Sequence, residues 1–280
     1  MPETRPNASD PVEDLELRLL LEAVFHSYGF DFREYAPGSL RRRVRHLVRE
    51  EGLPSISALQ DRVLHDREAL PRLVQGLAVS VTSMYRDPGF FRAFRQEVVP
   101  VLRTYPIVRI WHAGCSTGEE VYSLAALLEE EGLYDRCRIY ATDMNEDALQ
   151  RAARGAFPLA AMRDHTVRYL SAGGRRSFSE YYAVRDRRVV FHRRLRRNVV
   201  FAQHNLVTDR SFNEFNAILC RNVLIYFSRP LQERVHRLLY GSLGRLGFLG
   251  LGSKETVQFT PFERSYQAFD AVHKIYRKVA

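Results

Sequence analysis

Two carboxylates and a run of small residues are the first groups in this chain that could do chemistry together. Ala113-Gly114-Cys115-Ser116-Thr117-Gly118 contains small residues only, so a ligand can approach its backbone closely. Glu119 and Glu120 follow at once. A phosphate-binding turn is built differently: it needs the Lys of a P-loop or a G-x-G-x-x-G run, and neither is present. An acid at this place repels a pyrophosphate and suits a cationic or polar ligand without phosphate. S-adenosylmethionine, with its ammonium and sulfonium, is one such ligand. On this stretch alone, an ordinary strand-to-helix turn of an α/β domain would look the same. Asp143 sharpens the choice. It lies 24 residues after Glu119, closing an apolar run. An acid about twenty residues beyond such a turn is placed to accept hydrogen bonds from ribose hydroxyls.

Those groups need a sheet to hold them. The run from Val108 reads as a strand, and Val121, Leu124, Ala125 and Leu128 recur at helical spacing from Glu119 onward. Ser116 or Thr117 is the expected cap of that helix. Arg138–Thr142 is a second strand and Glu146–Arg154 a helix. Asn198–Asn205 is a strand ending in His204-Asn205. Phe215–Cys220 is wholly apolar, as in a buried parallel sheet, and ends in Arg221-Asn222-Val223, with Tyr226-Phe227 just beyond. A helix over Gln232–Leu243, a strand over Gly247–Gly252 and two strand-like runs near Tyr266 and His273–Tyr276 complete the alternation. Polar residues thus end four successive strands, on the rim where open α/β sheets bind ligands. Between Gly155 and Val200 the alternation breaks. Tyr181–Val184 and Val189–Phe191 read as a hairpin around Arg185-Asp186-Arg187, giving a small antiparallel β insertion at about 172–200.

Ahead of the sheet, residues 1–12 are polar and expected to be disordered, and 13–77 carry only helical periodicity. One helix there, 40–49, is basic: Arg41, Arg42, Arg45 and Arg49 flank the stripe of Leu40, Val44, Leu47 and Val48. Residues 78–90 form a connector. In it Ser80 and Thr82 point to one side, Arg86 is a cation fit for a carboxylate, and Asp87-Pro88-Gly89 is a turn.

Composition sets the class. The chain has 280 residues, 45% hydrophobic and 27% charged, as in a soluble globular protein with ample core. The opening MPETRPNASDPVED lacks the apolar core of a signal peptide, and no run approaches the ~18 apolar residues of a membrane span. Three scattered cysteines without CxxC point to reduced cytoplasmic thiols and no metal site. The net charge of +9 is local: residues 151–197 hold thirteen Arg against Asp164, Glu180 and Asp186, so the remainder sums to −1. Such a patch suits an acidic partner, although an Arg-rich solvated face would have the same composition.

VSVTSMYRDPGFF, WHAGCSTGEEVYSLA, YATDMN, FAQHNL, FNAILCRNVLIYF and GFLGLGSKE occur in this order, after YGFDF and SLRRRV in the helical part. In these stretches the chain closely resembles the chemotaxis receptor methyltransferases, the CheR family, over nearly its whole length. The resemblance implies a Rossmann-like class I methyltransferase sheet with a small antiparallel β insertion, behind an all-α amino-terminal domain. The activity it implies is transfer of a methyl group from S-adenosylmethionine to glutamate side chains of chemoreceptor cytoplasmic helices, releasing S-adenosylhomocysteine. It implies donor contacts at Thr82, Arg86, Ala113, Gly114 and Glu119, and ribose contacts at Asp143. Asn205 and Leu206 would flank the adenine, and Asn222 and Val223 the methionine end. Arg221 and Tyr226 would face the acceptor carboxylate, with Arg221 as an orienting cation. Ser80 stands where many members have Asn, so its donor contact would be shorter or bridged by water. Met84-Tyr85 and His112 are milder departures.

The basic helix 40–49 and the Arg-rich insertion become the expected contacts of a glutamate-rich receptor surface. The protein is expected to be a cytoplasmic monomer without a nucleic-acid partner. Amine-modifying nucleic-acid methylases often carry Asn/Asp-Pro-Pro-aromatic where this chain reads Arg221-Asn222-Val223-Leu224, which disfavours that class. A non-catalytic relative keeping the pocket as a sensor or scaffold is the other alternative.

Overall fold

A computed structural model of the protein describes residues 10–77 and 82–279. They form two units. One contains the described residues up to 77 together with Tyr226–Leu231, the other residues 82–225 and 232–279.

The first unit is helical. Helix α1 (Pro11–Tyr28) starts where the Asp10 carboxylate accepts from the Val12 N–H, and it ends at Gly29, whose φ of 77° is a left-handed close. Pro11 and Val12 are thus helical, so the expected disorder over 1–12 reached too far inward. A capping acid and a proline at the first helical position carry the helix ahead of its apolar stripe. Residues 1–9 lie outside the described residues.

Helices α2 (Pro37–Glu50), α3 (Ile56–His65) and α4 (Ala69–Leu77) follow. Leu20, Val24, Val44, Leu59, Val63 and Leu77 are among their buried side chains. Two of the four arginines flanking the α2 stripe are spent inside the unit, Arg41 on Asp14 and Arg45 on Glu13 of α1. Arg42 and Arg49 remain exposed. The distant segment Tyr226–Leu231 is stitched to the loop before α2. The Ala36 N–H donates to the Tyr226 carbonyl at 2.8 Å and the Ser228 N–H to the Glu34 carbonyl at 2.8 Å. The Tyr35 and Phe227 rings meet edge to face at 4.9 Å.

The second unit opens with one continuous helical run: α5 (Pro88–Ala93), a π-helical turn over Phe94–Val98, and α6 (Val99–Leu102). Pro100 cannot donate and its ring would clash with the carbonyl four residues back, which accounts for the widened turn there. The strands are β1 (Val108–Ala113), β2 (Cys137–Asp143), β3 (Ala156–Pro158), β4 (Tyr182–Arg185), β5 (Arg188–Phe191), β6 (Val199–Gln203), β7 (Phe215–Cys220), β8 (Leu243–Leu251), β9 (Tyr266–Asp270) and β10 (Ile275–Lys278). Helices α7 (Glu119–Glu130), α8 (Glu146–Arg154), α9 (Met162–Ser171) and α10 (Arg229–Ser242) connect them.

The main sheet has the order β6-β2-β1-β7-β8-β10-β9. Its first five strands are parallel, and β10 and β9 are antiparallel additions. This is the Rossmann-like sheet expected. The chain runs outward from β1 to β2 and β6, then returns to β7 on the other side of β1. That reversal leaves a crevice at the carboxyl ends of β1 and β7.

The insertion is a three-stranded sheet, β3-β5-β4. Its hairpin turns on Asp186 and Arg187, both at positive φ (43° and 62°), as a two-residue primed turn requires. The expected insertion at about 172–200 began too late. Strand β3, at 156–158, pairs with β5, and α9 intervenes. The insertion shares the hydrophobic core of the main sheet through Phe157, Phe178 and Phe191, and one buried acid adds polar links. Glu130 accepts from the hydroxyls of Tyr169 and Tyr181 and from the Arg95 guanidinium.

Candidate functional site

Strand β1 delivers Ala113 and Gly114 to the crevice. Gly114 has φ +71° there, and a Cβ on it would stand 2.5 Å from Val223 Cγ2, so the turn after β1 lies directly against the turn after β7. The Cys115 N–H donates to the Thr142 carbonyl at 2.9 Å, carrying the β1–β2 ladder one step past the strand. Below it the Trp111 indole donates to Thr142 Oγ1 at 2.8 Å. Helix α7 begins at Gly118, with φ +92°, and has no side-chain cap. The expected cap at Ser116 or Thr117 is therefore replaced. The Ser116 N–H donates to Asp143, and the Thr117 hydroxyl donates to Glu119 Oε2 at 2.6 Å.

Asp143 organises the second side. Its Oδ2 accepts from the Ser116 N–H at 2.8 Å and its Oδ1 from the Asn145 N–H at 3.0 Å. Burial pushes its pKa up, against these N–H groups. Burial likewise raises Glu119, against the Thr117 hydroxyl. The Asp143 carbonyl accepts from the His204 N–H at 3.1 Å, which brings the loop after β6 alongside. There Asn205 Oδ1 accepts from the Val207 N–H at 3.0 Å, and Leu206 is half-buried.

The third side is the turn after β7. Asn222 adopts φ 60°. Its N–H and those of Val223 and Leu224 all donate to the carboxylate of Glu255, at 2.9, 2.8 and 2.7 Å. Asn222 Oδ1 and Ser116 Oγ are buried without a hydrogen-bond partner among the described residues. They belong to the turns that follow β7 and β1, and Glu119, at the start of α7, and Asp143, at the end of β2, lie at the same rim of the sheet. This fits a ligand rich in donors and positive charge, such as S-adenosylmethionine, and opposes a phosphate.

The connector closes the fourth side. The Tyr85 N–H donates to Ser123 Oγ of α7 at 2.9 Å, which sets half-buried Thr82 and Arg86 near the start of that helix. Ser80 lies outside the described residues.

Arg221, expected to orient the acceptor, is held inside the second unit in this structure. Its side chain is 1% exposed and its guanidinium is engaged on every side. It donates to Glu120 Oε1 at 2.6 Å, to Asp87 Oδ2 at 2.7 Å and to the carbonyl of Arg86 at 3.1 Å. It also stacks over the Phe90 ring, 4.1 Å from the centroid. An orienting cation for an acceptor carboxylate needs donors to spare. This one instead bolts the connector turn to β7 and α7. Its partners lie 134 and 101 residues away in sequence, so no local signal announces them. Beside it His112 is buried and neutral, its pKa lowered to about 3 by burial first and then by the Arg221 charge. Tyr226 belongs to the helical unit, where the Arg43 guanidinium lies 4.8 Å from its ring centroid. Sequence reasoning passed over Glu255 and did not foresee that Glu120 and Asp87 pair with Arg221, because these partners lie far apart in the chain.

Residues 80–271 match the family described as CheR methyltransferase, SAM binding domain, and residues 15–78 match CheR methyltransferase, all-alpha domain. A Pseudomonas putida protein with the provisional name methyltransferase Cher3 is 48% identical over 265 residues, 95% of this chain and 97% of that protein. The chemotaxis protein methyltransferase of Listeria monocytogenes is 27% identical, over 88% of this chain and 92% of that one. Chemotaxis protein methyltransferase 1 of Pseudomonas aeruginosa is 29% identical, over 78% of this chain and 82% of that one.

Proposed function

This chain belongs to the CheR methyltransferase family, and on that premise we propose that it methylates glutamate side chains of chemoreceptor cytoplasmic helices. The donor is S-adenosylmethionine, and the products are glutamyl methyl esters and S-adenosylhomocysteine. The observation that carries the reading is the crevice at the ends of β1, β2 and β7. It brings small residues and two acids together, and it suits a cationic nucleoside.

In this reading Asp143 accepts from the ribose hydroxyls. Asn205 and Leu206 flank the adenine. Glu119, Asn222 and Val223 hold the methionine end over Ala113 and Gly114, with Thr82 beside it and Arg86 on its carboxylate. When bound, the donor supplies a methyl group on a sulfonium. The protein's own part is alignment and exclusion of water. A glutamate with its ordinary pKa of about 4.3 is already ionised at neutral pH, so no general base is required. Arg221 acts through the connector rather than on the acceptor. Tyr226 keeps its assignment to the acceptor on the family resemblance alone.

The acceptor's acidic surface is met by exposed arginines. On α2 these are Arg42 and Arg49. In the insertion Arg185, Arg187 and Arg193 make no ion pair among the described residues, and β4 is an outer strand whose free edge could pair with an extended segment. No helix among the described residues is long and apolar enough to cross a membrane.

Titration calorimetry tests the donor site. The protein should bind S-adenosylmethionine and S-adenosylhomocysteine at micromolar levels, and Asp143→Ala should weaken both at least ~10-fold, the loss of a good charged hydrogen-bond acceptor. No heat of binding with the unmutated protein would end the proposal.

A further inference from the structure

Glu255 accepts from five backbone N–H groups, yet no function considered so far uses it. It follows β8 at the rim and is 4% exposed. Its Oε2 accepts from the N–H groups of Asn222 at 2.9 Å and Gly252 at 2.6 Å. Its Oε1 accepts from those of Val223 at 2.8 Å, Leu224 at 2.7 Å and, more loosely, Ile225 at 3.4 Å. Its charge is met by backbone dipoles, and no Lys or Arg pairs with it among the described residues. The fit is tight: a Cβ on Gly252 would stand 2.7 Å from Glu255 Oε2 and 2.8 Å from the Asn222 nitrogen.

The backbone groups so held belong to one turn, and that turn has an unfavourable conformation. Asn222 sits at φ 60°, a region non-glycine residues adopt only when their surroundings hold them there. Two consequences reach the crevice from this turn. Asn222 Oδ1 is left buried without a partner, and Val223 presses against Gly114. A neutral or shorter side chain at 255 would leave several buried N–H groups unsatisfied and let the turn relax.

We propose that Glu255 is the positioning residue of the methyl-donor site, holding Asn222 and Val223 where they receive the amino-acid end of the donor. This rests on the donor-site reading above and adds to it a residue that does not touch the ligand. Glu255 acts on one end of the ligand only, because the ribose and adenine side is held by Asp143 and the loop after β6, whose hydrogen bonds among the described residues do not involve Glu255.

The test compares two ligands on purified full-length protein by calorimetry: S-adenosylmethionine, and 5′-methylthioadenosine, which lacks the amino-acid end. Glu255→Gln should weaken S-adenosylmethionine at least tenfold and 5′-methylthioadenosine less than threefold. Glu255→Asp keeps the charge but reaches fewer N–H groups, and should fall between Gln and the unmutated protein for the first ligand only. Thermal melts accompany each titration. Glu130→Gln serves as the comparison, since it breaks a buried hub of the same unit away from the crevice. It should lower the melting temperature while leaving both affinities of the folded protein unchanged. Equal losses for the two ligands, or no loss for either in the Gln and Asp variants, overturns the inference. Unmutated protein that binds neither ligand overturns the donor-site reading itself, and this inference with it.

Discussion

At Arg221 two roles for one cation make opposite predictions. As a substrate-orienting group it would leave the folded state indifferent to its removal and raise the acceptor KM. As the buried partner of Glu120 and Asp87 it leaves uncompensated charge behind when removed. Arg221→Ala should then cost about 3–5 kcal/mol in denaturant unfolding. An unchanged unfolding midpoint with a raised acceptor KM would restore the orienting role. His112 carries a second prediction. Its pKa is about 3 in the folded protein against an ordinary value of 6.5. Between those values the unfolded chain binds a proton that the native state refuses, so stability falls as pH drops from 6.5. By pH 5 the loss attributable to this residue is about 2 kcal/mol. Burial raises the nearby carboxylates Glu119, Glu120, Asp143 and Glu255, which gives a slope of opposite sign. That slope is common to both proteins when the unmutated chain is compared with His112→Phe. The variant should lose about 2 kcal/mol less between pH 7 and 5, and should be no less stable at pH 7, since two unpartnered buried nitrogens are removed. Parallel stability–pH curves would contradict this.

At the level of elements, the turn after β1 and the turn after β7 act as one surface. Gly114→Ala places a methyl 2.5 Å from Val223 Cγ2. It should weaken S-adenosylmethionine by about tenfold or more, and adding Val223→Ala should recover part of the loss. The left-handed strain of about 1–2 kcal/mol would remain in the double variant. The insertion's hairpin offers a gain instead. Asp186→Asn with Arg187→Gly supplies the residues its turn conformation favours, and should raise unfolding stability by about 0.5–1 kcal/mol.

These elements also mark what could be read from the residues. The strands β1, β2 and β7 were legible because they are long apolar runs ending in small or polar residues. So were the helices whose stripes recur at 3.6 spacing. Strand β3 was not: three residues, one of them Pro158, carry no period. The start of α7 was misjudged because a left-handed Gly118 took the place that a serine or threonine cap would fill. The crevice itself was legible from Gly114, Glu119 and Asp143. Which of its charges face a ligand was not, because Arg221, Glu120, Asp87 and Glu255 find their partners across the fold.

For the molecule as a whole, charge is the feature that a partner would sense first. The thirteen arginines of 151–197 are not all available. Arg175, Arg194 and Arg197 pair with Glu131, Glu129 and Asp135. Arg168 holds Ser83, and Arg188 and Arg196 hold backbone carbonyls. Arg151, Arg154, Arg163, Arg176, Arg185, Arg187 and Arg193 make no ion pair among the described residues, so the surplus remains turned outward. Acceptor capture by such a surface is screened by salt, whereas a donor held in a buried crevice is not. Raising NaCl from about 0.05 to 0.5 M should therefore raise the acceptor KM by about fivefold and move the donor Kd by less than about twofold.

The central claim is that this crevice passes a methyl group to a glutamate carboxylate. Its most direct test is incubation with S-adenosylmethionine labelled in the methyl group and a chemoreceptor cytoplasmic fragment. Label released by mild base, and mapped by mass spectrometry to glutamate, is the predicted result. A protein that binds the donor but leaves the fragment unlabelled, or that places base-stable label elsewhere, would contradict it.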